Sequence, residues 1–355
     1  INQVWKMAGK NQQLPNQDAL HFAVNNANKQ HWFIDKVNGT VTHLTNTPLV
    51  LNTFVKSYII QKTTQKLLQE TGVSGVVMNI GGDILVTGEE NELVQIVNPK
   101  ADAINDIAID KVNLQNKFIA TSGNYRRGTL INNKWYSHII DPRNGEPADH
   151  IISASVVSKN ALEAGALATS FNILSLQESL DLVKHFPETE YLIITKEGEM
   201  IQSANWKGIQ FNKTTNSDIN NTQTFLRNET FKNNQWDPAY ELSINLELAQ
   251  FQGPSRRPFV AIWVEDKDKT PVRNLALWYN KPRWLHDLRA WYSANYAKYN
   301  VESGTITSLS SATRSPGKYT IKWDGKDDKG EYVKTGNYTI NIEVAREHGT
   351  YQIIT

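Results

Sequence analysis

The sequence contains no cysteine, which excludes disulfides and thiolate-held metals outright. No run of about 18 apolar residues occurs, so no segment reads as a membrane-spanning helix. Neither charge is in surplus: 37 basic residues against 36 acidic ones leave a formal net charge of +1. That balance removes the electrostatic case for nucleic acid, which calls for a basic patch or stripe. An initiating methionine and a charged-then-apolar leader are both missing, and the sequence starts at Ile1. It therefore reads as a processed or truncated chain, with a signal peptide or lipid anchor expected outside it. Aromatic residues are plentiful, and ten tryptophans in 355 residues argue against disorder. The length fits two or three domains.

Apolar periodicity divides the chain into two styles. A helical pattern lies near Asp18 to Asn28, followed by short strands at Trp32 to Ile34 and Val41 to Leu44 with Asn38-Gly39 between them, a hairpin signal. Phe54, Val55, Tyr58, Ile59, Leu67 and Leu68 fit one helical face, with Gly72 as the stop. Strands are expected at both sides of Gly81-Gly82, at Leu93 to Val97, Phe118 to Thr121, Trp135 to Ile140 and Tyr191 to Thr195, with helices over 162–174 and 176–185. Interleaved strands and helices make this first part α/β or α+β. Residues 211–235 are dense in Asn and Thr and read as a linker. Beyond them, short alternating runs separated by turn clusters predict an all-β sandwich. The expected domains are 1–210, a linker at 211–235, and 236–355.

Three stretches carry candidate chemistry. VVMNIGGDILVTG, 76–88, places Gly81, Gly82 and Asp83 between two strand-like segments. Two glycines there mean either a tight turn or close backbone approach by a ligand. TSGNYRRG, 121–128, and SHIIDPRNGEP, 137–147, form the densest polar cluster. His138 and Asp141 lie three apart at a strand end, ahead of a Pro142 turn closed by Asn144-Gly145. A histidine beside a carboxylate can act as a general base. The plain alternative is a turn with a satisfied strand histidine. The acidic stretch Asp324 to Gly330 lacks calcium-loop spacing and reads as a charged hairpin turn.

The succession NIGGDI, ATSGNYRR, HIIDPRNGEP and EAGALATSFNIL resembles the ApbE-like FAD:protein FMN transferases, from about Leu49 to Trp206. The resemblance implies an α+β fold of that type followed by the β-sandwich. It implies cleavage of FAD at its diphosphate, transfer of the FMN half to a Ser or Thr hydroxyl of a partner protein, and Mg²⁺ as the cofactor that offsets phosphate charge. By matching positions it assigns His138, as base, and Asp141 to the transfer site. It places Lys56, Asn79, Gly81, Gly82, Asp83, Ser122, Gly123, Ile139 and Ile140 against FAD, and gives Thr53 and Thr169 to the metal. The acceptor is then a flavinylated redox protein, and the location periplasmic or extracytoplasmic, as in a membrane-anchored lipoprotein.

The chain departs from this pattern in three places. Gly165 stands where the family helix carries a metal-binding aspartate, and glycine offers no side-chain oxygen. Val50-Leu51-Asn52-Thr53 lacks the carboxylate of the family's corresponding segment, and Ser57 replaces a glycine. The family's early Met-Gly-Thr strand does not occur. Towards the C-terminus, AIWVEDKDKTPVRNLALW and AREHGTYQI resemble a periplasmic β-sandwich domain found beside flavin-linked proteins. Within it, Thr307 to Thr313 is similar to a flavinylation signature and makes Thr313 an FMN acceptor by position. An alternative reading follows: a non-catalytic extracytoplasmic flavin carrier or redox-partner scaffold, modified at Thr313.

Overall fold

The computed structural model describes residues 1–47, 52–103, 105–106, 108–125, 127–211, 235–249, 257–279, 282–299, 310–311, 314, 316–347 and 349–355. The expected linker lies almost wholly outside the described residues, as does Thr313. The chain divides into two compact units, Ile1–Pro99 with Ala108–Lys213, and Lys100–Ile107 with Thr214–Thr355.

The first unit opens with two helices, α1 (Asn2–Asn11) and α2 (Gln17–Ala27), and a hairpin of β1 (Trp32–Asp35) and β2 (Thr40–His43). Helix α3 (Asn52–Leu67) follows, then β3 (Gly75–Ile80), β4 (Asp83–Gly88), β5 (Glu92–Ile96), β6 (Asp110–Leu114), β7 (Lys117–Gly123), β8 (Gly128–Ile131), β9 (Lys134–Ser137) and β10 (Ile151–Ser158). Helices α4 (Ala161–Ile173) and α5 (Leu176–Val183) lead to β11 (Glu190–Thr195) and β12 (Met200–Gln202). Six strands form one sheet in the order β12-β11-β10-β7-β4-β3, and every pairing in it is antiparallel.

Strand β10 lies inside this sheet and is covered on both faces. Ala154 and Val156 join Ile60, Ala164, Leu167 and Phe171 under α3 and α4. Val157 joins Val86, Val94, Val112 and Trp206 on the other face. Helix α4 starts at Asn160, whose side chain accepts from the Leu162 and Glu163 amides, an N-cap. Its residues are apolar nearly all round, as burial between sheet and α3 requires.

The second unit is β-rich. It holds β13 (Leu242–Leu248), β14 (Phe259–Glu265), β15 (Pro271–Trp278), helix α6 (Arg289–Tyr299), β16 (Ser310–Ser311), β17 (Gly317–Trp323), β18 (Thr339–Ala345) and β19 (Tyr351–Ile354). A five-stranded sheet, β16-β15-β14-β18-β19, and the β13-β17 pair enclose Val260, Ile262, Trp278, Ile321 and Trp323. The other face of the larger sheet is covered by Leu285, Leu288 and Trp291 around the start of α6. The backbone N–H groups of Ala290 and Trp291 there donate to the buried Glu343 carboxylate. The aromatic group at 284–292 is thus core packing.

Candidate functional site

The sheet register brings the marked sequences to one end of the first unit. Ile84 lies opposite Ile119 and Val86 opposite Lys117, so the antiparallel run places the β3–β4 turn beside Thr121-Ser122-Gly123 at the end of β7. Gly123 in turn pairs with Ser153 at the start of β10.

Ile80 pairs directly with Asp83, which makes Gly81-Gly82 a two-residue hairpin loop. Both glycines have positive φ, 60° and 93°, the conformation that right-handed strand twist demands of such a turn. A Cβ at either position would meet nothing within 4 Å. The glycines therefore serve the turn, and the space over them is open. The Asn79 side chain accepts from the Gly82 amide at 3.1 Å.

Asp83 is buried and receives Lys56 Nζ at 2.8 Å, so α3 is tied to the turn by an ion pair. Burial pushes the Asp83 carboxyl upward, and Lys56 opposes that shift. The neighbouring Ser57 hydroxyl is buried with no hydrogen-bond partner. Helix α4 reaches the same end: Asn172 Nδ2 donates to the Ser122 carbonyl at 3.1 Å and to the Ala168 carbonyl at 2.9 Å. Gly123 is required by close approach, since a Cβ there would lie 2.5 Å from the Tyr125 ring.

His138 follows β9. Its amide donates to the Arg127 carbonyl at 3.1 Å, and its Nδ1 lies 3.0 Å from the same oxygen. A carbonyl only accepts, so Nδ1 carries the hydrogen and Nε2 keeps its lone pair. The ring is exposed by area, yet the protein crowds it enough that desolvation holds its pKa below the ordinary value. The Arg127 carbonyl bond opposes that shift and the Arg127 charge adds to it.

The pairing of His138 with Asp141 expected from their spacing does not form. Asp141 is buried and gives both oxygens to Arg143, whose Nε lies 2.9 and 3.0 Å away and whose Nη2 lies 2.7 Å away. The physical reason is the turn itself. Asp141 N bonds Glu146 O and Gly145 N bonds Asp141 O, which folds the carboxylate back over its own loop. Arg143 also reaches Glu178 of α5 at 2.7 Å. Ile139 and Ile140 flank the turn, with Ile139 buried and Ile140 bridged to Pro147.

The turn rests on α1 and α2, a contact that sequence reading missed. Trp5 Nε1 donates to the Gly145 carbonyl at 2.8 Å. Gly145 has φ +81°, and a Cβ there would lie 2.7 Å from Val24 Cγ2. Helix α1 lacks the usual start signals, having no side-chain cap and no acidic residue in its first turn, and its buried stripe is only Trp5 and Ala8.

The residues present do not fit a hard divalent cation on α4. Gly165 contributes no side chain, and the Thr169 hydroxyl donates to the Gly165 carbonyl at 3.2 Å. The nearest helical carboxylate, Glu163, accepts from the Ser158 and Thr189 hydroxyls. Asp83 and Asp141 are held by Lys56 and Arg143. Among the described residues no group of three or more His, Asp or Glu could hold a metal. The Thr53 side chain lies outside the described residues.

The architecture of the first unit is the ApbE-like α+β fold. The crystal structure of the ApbE protein from Thermotoga maritima superposes with a TM-score of 0.52 at 22% identity, covering 59% of this chain and 70% of that one. The chain belongs to the ApbE family, which matches residues 1–193. Residues 241–355 match a second family, described as a predicted periplasmic protein (DUF2271). Relatives from several bacteria carry the name FAD:protein FMN transferase, three of them as follows. That of Escherichia coli (strain K12) is 29% identical over 153 residues, 41% of this chain and 42% of its own length. That of Chlamydia muridarum is 29% identical over 191 residues, 52% and 58% respectively. That of Buchnera aphidicola is 34% identical over 116 residues, 32% and 34%. The chain thus spans about two-fifths of the length of the first of these relatives (42%).

Proposed function

We propose that the first unit transfers FMN from FAD to a Ser or Thr hydroxyl of an acceptor protein. The observation that carries this reading is the convergence of the Gly81-Gly82 turn, the Thr121–Gly123 strand end and the end of α4 at one end of the sheet, in a chain of the ApbE family. Lys56, Asn79, Gly81, Gly82, Asp83, Ser122, Gly123, Ile139 and Ile140 then face FAD. His138 Nε2, left unprotonated by the Nδ1–H bond to Arg127, takes the proton of the acceptor hydroxyl. That oxygen attacks the FMN-side phosphorus, the bond from this phosphorus to the bridging oxygen breaks, and AMP leaves. Asp141 acts on this step indirectly, by fixing the turn through Arg143. No step is assigned to Mg²⁺ at Thr53 and Thr169, because the α4 donors do not fit it.

The acceptor in this reading is a redox protein, and the setting is extracytoplasmic with a lipid anchor. The extracytoplasmic setting alone is supported by the match of residues 241–355 to a predicted periplasmic family. No described helix is long and apolar enough to cross a membrane.

The test incubates the full chain with FAD and an acceptor peptide bearing Ser and Thr, and reads AMP release and peptide mass. Transfer should be lost in His138→Ala, and its lower pH limb should fall below the ordinary imidazole value of 6.5, because the histidine is held low. AMP release undiminished in His138→Ala would sink the assignment. Gly165 favours a second reading, retention of FAD without transfer. Under it, wild type binds FAD and releases no AMP, while Gly165→Asp gains Mg²⁺-dependent release.

A further inference from the structure

Helix α1 turns Trp5 and Ala8 inward, and the half-buried Gly9 and the exposed C-cap residue Gln12 continue the same stripe at helical spacing. Only Trp5 and Ala8 of this helix are buried, so its apolar contribution is small. Its specific contacts go instead to the two segments that flank His138. Upstream, the indole lies against Tyr136, with ring centroids 5.0 Å apart at 32°. Downstream, its Nε1 donates to the Gly145 carbonyl at 2.8 Å. One rigid side chain with two torsions thus holds the chain on both sides of the imidazole.

The rest of the stripe holds the strand that follows the imidazole's partner. Arg127, whose carbonyl accepts from His138 N and Nδ1, immediately precedes β8. Gln12 Nε2 donates to the Leu130 carbonyl of β8 at 2.9 Å. Gly9 lets the helix lie directly on Thr129, since any Cβ there would overlap the threonine methyl. On the opposite side, Leu20 and Val24 of α2 close on Gly145.

We infer that α1 is a positioning clasp for His138, with Trp5 as its central residue and Gln12 and Gly9 setting the strand beside its acceptor carbonyl. The inference rests on His138 being the base of the proposed transfer. It extends that reading by making the orientation of the ring depend on a helix more than 120 residues earlier in the chain, as the 140-residue separation of Trp5 and Gly145 illustrates. Displacing a catalytic group by about 1 Å can lower a rate by about 10²-fold, so a clasp of this kind acts on kcat.

The test uses the full chain. Trp5→Phe keeps a ring against Tyr136 and deletes the N–H. Gln12→Leu keeps the indole and deletes the bond to β8. Melting, transfer kinetics with FAD, and the NMR titration of His138 are measured. Trp5→Phe should lower kcat by about 10-fold or more while KM for FAD stays within about twofold. The His138 titration should move up toward the ordinary imidazole range as the protein crowds the ring less. An unchanged His138 titration in folded Trp5→Phe overturns the inference, and so does a rise in KM that matches the loss of rate. Should Trp5→Phe not fold, Gln12→Leu is read by the same criteria. If wild type releases no AMP, it is the proposed transfer that fails, and the His138 titration alone decides the clasp.

Discussion

At the scale of single residues, Gly81 separates two roles that two adjacent glycines leave open. Its φ of 60° is tolerated by Asn and costs other residues about 1–2 kcal/mol. No atom lies within 4 Å of the missing Cβ, so the turn alone sets that cost. Gly81→Asn should leave the melting temperature nearly unchanged while placing a side chain in the open space. If FAD lies there, its affinity falls by about tenfold or more, which is about 1.4 kcal/mol. Titration calorimetry with FAD reads the outcome, and equal affinity would leave the glycines with a turn role only. Asp83 shows a different economy. A buried carboxylate beside a lysine keeps its charge only because the partner is present, so Lys56→Met should destabilise the fold more than Asp83→Asn, by thermal melting.

At the scale of elements, the turn at 141–147 and helix α5 are joined by Arg143. Glu178 closes a capping box with Ser175 and also receives Arg143. The Ser175 amide is the main cause, with Arg143 next, of a Glu178 pKa lowered from 4.5 to about 2. Asp141 is lowered chiefly by its hydrogen bonds from Arg143. A depressed carboxyl pKa contributes stability above its unfolded value and loses it as pH falls toward the folded value. Stability should therefore decline as pH drops from about 4.5 to about 2. Arg143→Gln should flatten that decline in part, because the Ser175 contribution remains. Melting temperatures measured across this range check both statements, and an identical acid limb in the variant would remove Arg143 from the account.

At the scale of the whole molecule, sequence continuity and structural membership differ. Residues Lys100–Ile107 belong with the second unit although they interrupt the first. Asn105 donates to the Lys322 carbonyl at 2.7 Å and accepts from the Lys322 amide at 2.8 Å, completing the backbone bonding of that residue on β17. Asp106 and Glu241 then share the Lys322 ammonium. Asn105→Ala should cost about 1 kcal/mol and raise exchange at the Lys322 amide selectively, as hydrogen exchange read by NMR would show. Unaltered protection at Lys322 would contradict this arrangement.

Much of this was determined by the sequence on its own. The Gly-Gly hairpin, the Asp-Pro-x-Asn-Gly turn, α3 to α5 and the alternating strands of the second unit follow from local rules: turn chemistry, caps and periodicity act over a few residues. The succession of motifs was enough to suggest the family. Strand β10 escaped notice because both its faces are buried, with Ser153, Ser155 and Ser158 inside as well, so no alternation marks it. Helix α1 escaped because it has no cap and its buried stripe is only two residues long, Trp5 and Ala8. What only the tertiary structure decided is which partner each polar group finds. Three residues of spacing put His138 near Asp141 on paper, yet Asp141 turned to Arg143 and His138 to the Arg127 carbonyl. Trp5 closed on Gly145 across 140 residues. Hydrogen bonds are short and directional, so partners are chosen by where the fold delivers each atom, and distance along the chain carries little of that information.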